Sequence, residues 1–145
     1  MFIKGKLQFS RLISQMEIKI DFDIKQIEKS LNKFPDRVEK AVVNVMNEAA
    51  EEILQNAKSR VPVKSGNLKN SLKKSKVNKK DMSVRIFADY PDKQNKNEYY
   101  AFAVEHGTKE MPAQPYLKPA SHSVEEGLQN RVDAALYEEF KNDQI

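Results

Sequence analysis

The stretch PDRVEKAVVNVMNEAAEEILQNAKSRV, Pro35–Val61, decides the fold. Proline suits the first position of a helix, where its missing N–H has no intrahelical partner anyway, and Asp36 beside it complements the positive helix end. From there Val38, Val42, Val45, Ala49, Ile53 and Ala57 recur every three or four residues along one face. Val43, Met46, Ala50 and Leu54 widen that stripe beyond what one sheet face requires. Pro62 disfavours helical geometry at the residue before it, so the helix should stop near Val61.

Upstream, Met16–Phe22 alternates apolar and polar residues with Ile18, Ile20 and Phe22 on one face, the pattern of a half-buried strand. Asp23–Phe34 carries Ile24, Ile27 and Leu31 at helical spacing and reads as a short helix. Downstream, Ser65-Gly66 marks a turn, with Ser65 placed to cap a short helical turn through Leu68. Leu72–Val77 and Met82–Ala88 read as a hairpin joined by the polar stretch Asn78–Asp81. Asp89–Glu98 is polar, contains Pro91 and reads as an exposed, mobile loop.

Tyr99–Glu105 fits a short helix or a strand. Tyr100, Ala103 and Val104 favour the helix, which His106-Gly107 would then end. Met111–Pro119 holds three prolines and should be extended. Pro119 opens a C-terminal helix with Leu117, Ala120, Val124, Leu128, Val132, Ala135, Leu136 and Phe140 on one side. Gly127 inside it costs about 1 kcal/mol relative to alanine.

The expected architecture is α+β: a small, mainly antiparallel sheet packed by one long central helix and a C-terminal helix. The chain divides into an extension, 1–15, a single domain, 16–140, and a frayed tail, 141–145. At 145 residues a second core is not expected.

With 39% hydrophobic and 32% charged residues, the chain should build a modest core and complete its burial against neighbours. The absence of cysteine excludes disulfides, thiolate zinc sites and cysteine nucleophiles. No apolar run approaches the roughly 18 residues of a membrane span, so no membrane partner is expected. Met1–Gln15 is basic but lacks the continuous apolar core of a signal peptide. The net charge of +4 is unevenly placed: Lys58–Lys80 holds nine Lys or Arg and no acid. From Val124 onward Glu125, Glu126, Asp133, Glu138, Glu139 and Asp143 outnumber Arg131 and Lys141. Such asymmetry points to nucleic acid or to charge-complementary subunit packing. The basic surface would comprise Lys69, Lys73, Lys74, Lys76, Lys79 and Lys80.

No catalytic set emerges. His106 and His122, with Glu105 beside the first, fall short of the three or four converging ligands of a metal site. Ser121-His122-Ser123 lies at the start of a helix without a nucleophile elbow or oxyanion loop. The four glycines are dispersed, so nothing cradles phosphate. No cofactor and no enzymatic activity are expected.

Two phrases are more specific than composition explains. The first is AKSRVPVKSGNLKNSL, Ala57–Leu72. The second is YAFAVEHGT, Tyr100–Thr108, followed by MPAQPYLKPA, Met111–Ala120. Read from the residues, Gly107 adopts positive φ to end its element, and the prolines stiffen an extended connector. Tyr116 and Leu117 anchor that connector on the core, and Glu105 accepts backbone N–H bonds from the Gly107–Thr108 turn.

Together the phrases resemble the gene-product-ten-like tail-component family of long-tailed bacteriophages, also described as tail-completion or neck proteins. An alanine-rich helix ending in proline, a Ser-Gly-x-Leu turn, a Tyr-Ala…Val-Glu-x-Gly-Thr phrase and a Pro-aromatic-Leu-x-Pro-Ala phrase follow in the family's order. The resemblance covers roughly Met16 to Phe140. Met1–Gln15 lies outside it, and Tyr116 stands where phenylalanine is commoner. It implies that Ser65, Gly66, Leu68, Tyr100, Glu105, Gly107, Thr108, Pro115, Tyr116, Leu117 and Pro119 are turn or interface residues. It also implies a virion structural protein, assembled in the bacterial host cytoplasm, that forms a ring, sixfold by analogy, joining a DNA-filled head to the tail of a phage or prophage. Its partners would be further copies of itself, neighbouring head-connector and tail proteins, and DNA touched non-specifically in the lumen. The rival reading is a small basic nucleic-acid-binding module using Lys58–Lys80.

Overall fold

The computed structural model describes residues 17–21, 35–64, 66–89 and 96–141. In chain order the elements are β1 (Glu17–Asp21), α1 (Pro35–Arg60), α2 (Asn67–Ser71), β2 (Leu72–Lys74), β3 (Ser83–Ala88), α3 (Lys96–His106) and α4 (Leu117–Phe140). The architecture is α+β: long helices packed on a small antiparallel sheet. The expected helix over 23–34, the extension 1–15 and residues 142–145 of the expected tail lie outside the described residues. Lys141 closes α4, its N–H bonded to the Tyr137 carbonyl.

The wide stripe of α1 buries on two sides. Val38, Val42, Met46, Ile53 and Ala57 are all sealed in the core, and α1 packs against both α4 and the sheet. Full burial of a side chain such as Ile53 is worth about 2 kcal/mol. The helix ends at Arg60, as Pro62 requires, after a last bond from the Val61 N–H to the Ala57 carbonyl.

α4 runs antiparallel to α1. Arg37 near the start of α1 meets Glu139 near the end of α4 at 2.9 Å, and Glu52 meets Arg131 at 2.7 Å midway. The beginning of α4 therefore lies beside the end of α1. The Arg37 guanidinium also covers the Phe140 ring, 4.8 Å from its centroid.

The sheet order is β1-β3-β2, with both outer strands antiparallel to β3. Ile18 faces Ile86, Ile20 faces Val84, and Leu72 faces Ala88. In β3 the alternation is clear: Val84, Ile86 and Ala88 are buried and Arg85 is exposed. β2 is shorter than the expected Leu72–Val77. The Ser75 N–H still donates to the Arg85 carbonyl at 2.8 Å, but the Ser75 hydroxyl takes the Arg85 N–H at 3.0 Å, a place a backbone carbonyl would hold in a regular ladder, and the next backbone pair is the bridge Asn78–Ser83. β3 begins at Ser83 because Met82, at φ 47°, is left-handed and turns the chain.

Two helix boundaries also differ from expectation. Tyr99–Glu105 is helical, inside an α3 that starts at Lys96, within the stretch expected to be loop. α4 starts at Leu117 rather than Pro119, because an acceptor distant in sequence satisfies its first N–H groups. No helix among the described residues is long and apolar enough to cross a membrane.

Candidate functional site

The connector between α3 and α4 gathers most of the residues singled out by sequence. Its keystone is Glu105, in the last turn of α3, with only 3% of its surface exposed. The N–H groups of Tyr116 and Leu117 donate to its Oε2 at 2.7 and 2.9 Å, and that of Lys118 donates to its Oε1 at 2.9 Å. A helix leaves its first four N–H groups without intrahelical acceptors. Here Glu105 takes three, and the fourth position is Pro119, which has no N–H. The expected bonds from the Gly107–Thr108 turn to Glu105 are not the ones formed. That turn closes on other acceptors, which leaves the carboxylate aimed at α4.

Gly107 ends α3 at φ +75°, and its N–H donates to the Ala103 carbonyl at 2.7 Å. A Cβ there would lie 2.7 Å from the Ala113 nitrogen and 3.0 Å from the Met111 carbonyl oxygen. The glycine is thus required by its conformation and by the connector folding back over it. The Thr108 N–H donates to the Met111 carbonyl at 2.8 Å, and the Thr108 hydroxyl accepts the N–H groups of Glu110 and Met111. Further along, the Gln114 N–H reaches the Val104 carbonyl at 2.7 Å.

Tyr116 is fully buried, and its hydroxyl donates to the Ala101 carbonyl at 3.2 Å. Leu117 is buried beside it, and Tyr100 packs half-buried against the same core. Pro112, Ala113, Gln114 and Pro115 are exposed. The connector is therefore an outward-facing strap pinned at both ends.

The other phrase forms a second turn. Ser65 lies outside the described residues. The residue at the head of α2 is Gly66, at φ 79°, with no side-chain cap. Leu68 is buried, and the buried Ser71 hydroxyl donates to its carbonyl at 2.7 Å. The Asp89 N–H reaches the Ser71 carbonyl at 2.8 Å, tying the turn to the end of β3.

The basic segment is partly neutralised within the chain. Lys73 pairs with Asp89 at 2.7 Å, Lys74 with Glu51 at 3.8 Å and Lys79 with Glu39 at 2.6 Å. The hydrogen bond and the charge of Glu39 hold the Lys79 pKa above its ordinary value. Lys69, Lys76 and Lys80 are exposed or at the surface without an ion pair among the described residues.

His122 is exposed and faces Glu126 at 3.7 Å, whereas His106 packs against Phe102, ring centroids 4.5 Å apart. Among the described residues no three His, Asp or Glu side chains could hold a metal ion. The hydroxyls of Ser121 and Ser123 donate to carbonyls one turn back, those of Lys118 and Ala120.

Sequence reasoning missed Ala101, whose carbonyl receives the tyrosine, and the backbone of Lys118. The signal lay in spacing: Ala101 and Glu105 are one helical turn apart on one face, so a single residue can meet both.

Residues 25–107 match the family model described as "Bacteriophage HK97-gp10, putative tail-component". No curated protein and no solved structure matches the chain. The matched span covers α1, the basic segment, β2, β3 and α3, and ends on the glycine that turns the chain into the strap. It takes in more than half of the sequence, and the chain belongs to the HK97-gp10-like family of bacteriophage tail components.

Proposed function

We propose that this tail component is a head–tail connector or tail-completion subunit that assembles into a ring, sixfold by analogy, at the junction between a DNA-filled head and a tail. Its work is geometric, and it is not an enzyme. The observation that carries this reading is the use made of Glu105. A lone buried carboxylate is the side chain best suited to acid–base chemistry, yet both its oxygens are occupied by the backbone of α4. It holds a strap in place.

That strap suits docking. Pro112–Pro115 are exposed but conformationally fixed, so a neighbouring subunit or tail protein would bind them without first ordering a loop. Tyr137 and Val63 are 69% and 66% exposed, a further sign of surfaces completed by neighbours. The rival reading, a basic module using the whole of Lys58–Lys80, is weakened by the ion pairs of Lys73, Lys74 and Lys79.

Deleting the gene from its phage or prophage tests the proposal. Filled heads and finished tails that remain unjoined, and yield no infectious particles, are the expected result. Sedimentation of the purified chain, alone and with tail or head components, should reveal rings. Normal particles and infectivity after the deletion would overturn the joining function.

A further inference from the structure

The described cations divide by whether an acid stands beside them. Arg37, Lys73, Lys74, Lys79, Arg131 and Lys141 each pair with a carboxylate. Lys40, Lys58, Arg60, Lys64, Lys69, Lys76, Lys80, Lys109 and Lys118 carry no ion pair among the described residues.

Five of them, Lys58, Arg60, Lys64, Lys69 and Lys118, lie toward one end of the molecule. Lys58 and Arg60 occupy the last turn of α1. Antiparallel packing sets the start of α4, and with it Lys118, beside that end. Lys64 and Lys69 follow the end of α1 closely in the chain, and Val61 and Leu68 beside them are both buried in the common core. The nearest acid along the connector, Glu105, is buried with both oxygens bonded to the backbone of α4.

Helix electrostatics accounts for part of this cluster. Lys58 and Arg60 complement the negative end of α1. Lys118 adds a further cation in the first turn of α4, whose N–H groups Glu105 already caps. Gathering like charges costs stability. An anion from outside would offset that cost. The run Lys58–Lys80 contains no aromatic residue on which unpaired bases could stack. A duplex backbone asks only for spaced cations.

We propose that this end of the molecule, formed by Lys58, Arg60, Lys64, Lys69 and Lys118, is a sequence-independent contact surface for the phosphate backbone of duplex DNA. The proposal rests on the connector reading for the source of the DNA, and it moves the contact away from the hairpin lysines 73, 74 and 79.

Fluorescence anisotropy with a labelled mixed-sequence duplex tests it on the full chain. Binding should weaken steeply as salt rises. The triple variant Lys64→Glu, Lys69→Glu, Lys118→Glu should lose more than about tenfold in affinity, and its log–log salt slope should flatten by about 3. A variant of equal net charge, Lys73→Glu, Lys76→Glu, Lys79→Glu, should retain most binding. Circular dichroism verifies folding, and the corresponding glutamine triple replaces any variant that fails to fold. Equal loss from both triples, or none from the first, overturns the surface assignment. So does binding that ignores salt. Sedimentation keeps the two readings apart. Rings without salt-sensitive DNA binding refute this inference alone, and DNA binding without assembly refutes the connector alone.

Discussion

Tyr116 is tied to Glu105 and to the turn before it: the Tyr116 N–H donates to the Glu105 carboxylate at 2.7 Å, and the Tyr116 hydroxyl donates to the carbonyl of Ala101 at 3.2 Å. The end of α3 and the head of α4 thereby become one rigid unit. A capping carboxylate normally sits beside the N–H groups it serves. Here it is 11 residues away along the chain, so the cap also fixes the angle between two helices.

Replacing Glu105 by alanine should destabilise the fold by about 3 kcal/mol, because three largely buried N–H groups lose a charged acceptor. Glu105→Gln should cost less, about 1–2 kcal/mol, since one oxygen remains but the amide turns a donor toward a donor. Chemical denaturation measures both. Hydrogen exchange at Tyr116, Leu117 and Lys118 should accelerate in each, and unchanged exchange there would refute the capping role.

Gly107→Ala should be destabilising by about 3 kcal/mol. Positive φ penalises any side chain, and the new methyl would meet backbone rather than a yielding side chain. The same substitution at Gly66, where a Cβ meets only the Asn70 amide nitrogen at 3.8 Å, should cost about 1 kcal/mol from conformation alone. Parallel denaturation curves that reverse this order would contradict the back-folded strap.

Gly127→Ala should raise stability by about 1 kcal/mol. This glycine lies inside the continuous helix α4, and a Cβ there would meet nothing within 4 Å. Thermal unfolding should show a gain of roughly 4 °C. A loss would mean that another subunit packs against this position.

Glu125 supplies a pH-dependent test. Its Oε1 is buried without a partner, and burial raises its pKa above the ordinary glutamate value, opposed by the charge of His122. The folded state then binds the proton more tightly than the unfolded chain. Stability should fall as pH rises from the ordinary glutamate range, about 4.3, through the raised folded pKa, and stay lower above it. Glu125→Gln should melt higher than the parent at about pH 7 and lose that advantage near about pH 3.5. Equal differences at both values would remove Glu125 as the cause.

Much of this architecture is legible in the sequence because it depends on short-range regularities. The double stripe from Val38 to Ala57 can be satisfied only by a helix buried on two sides. The alternation around Val84 and Ile86 suits only a strand with one wet face. Pro62 and Gly107 stop helices by covalent and steric constraints that act within one or two residues. Tertiary structure decided what depends on distant partners. Tyr99–Glu105 is helical, with Ala101, Ala103, Val104 and Glu105 packed inward. α4 begins at Leu117 because Glu105, far upstream, accepts the N–H groups that would otherwise have delayed it. The basic run reads as one patch along the chain. It divides in space because Asp89, Glu51 and Glu39 come to lie beside Lys73, Lys74 and Lys79, while no described acid pairs with Lys58, Arg60, Lys64, Lys69, Lys76 or Lys80. Spacing along a chain fixes a period and a face, but which charges meet is set by how the faces pack.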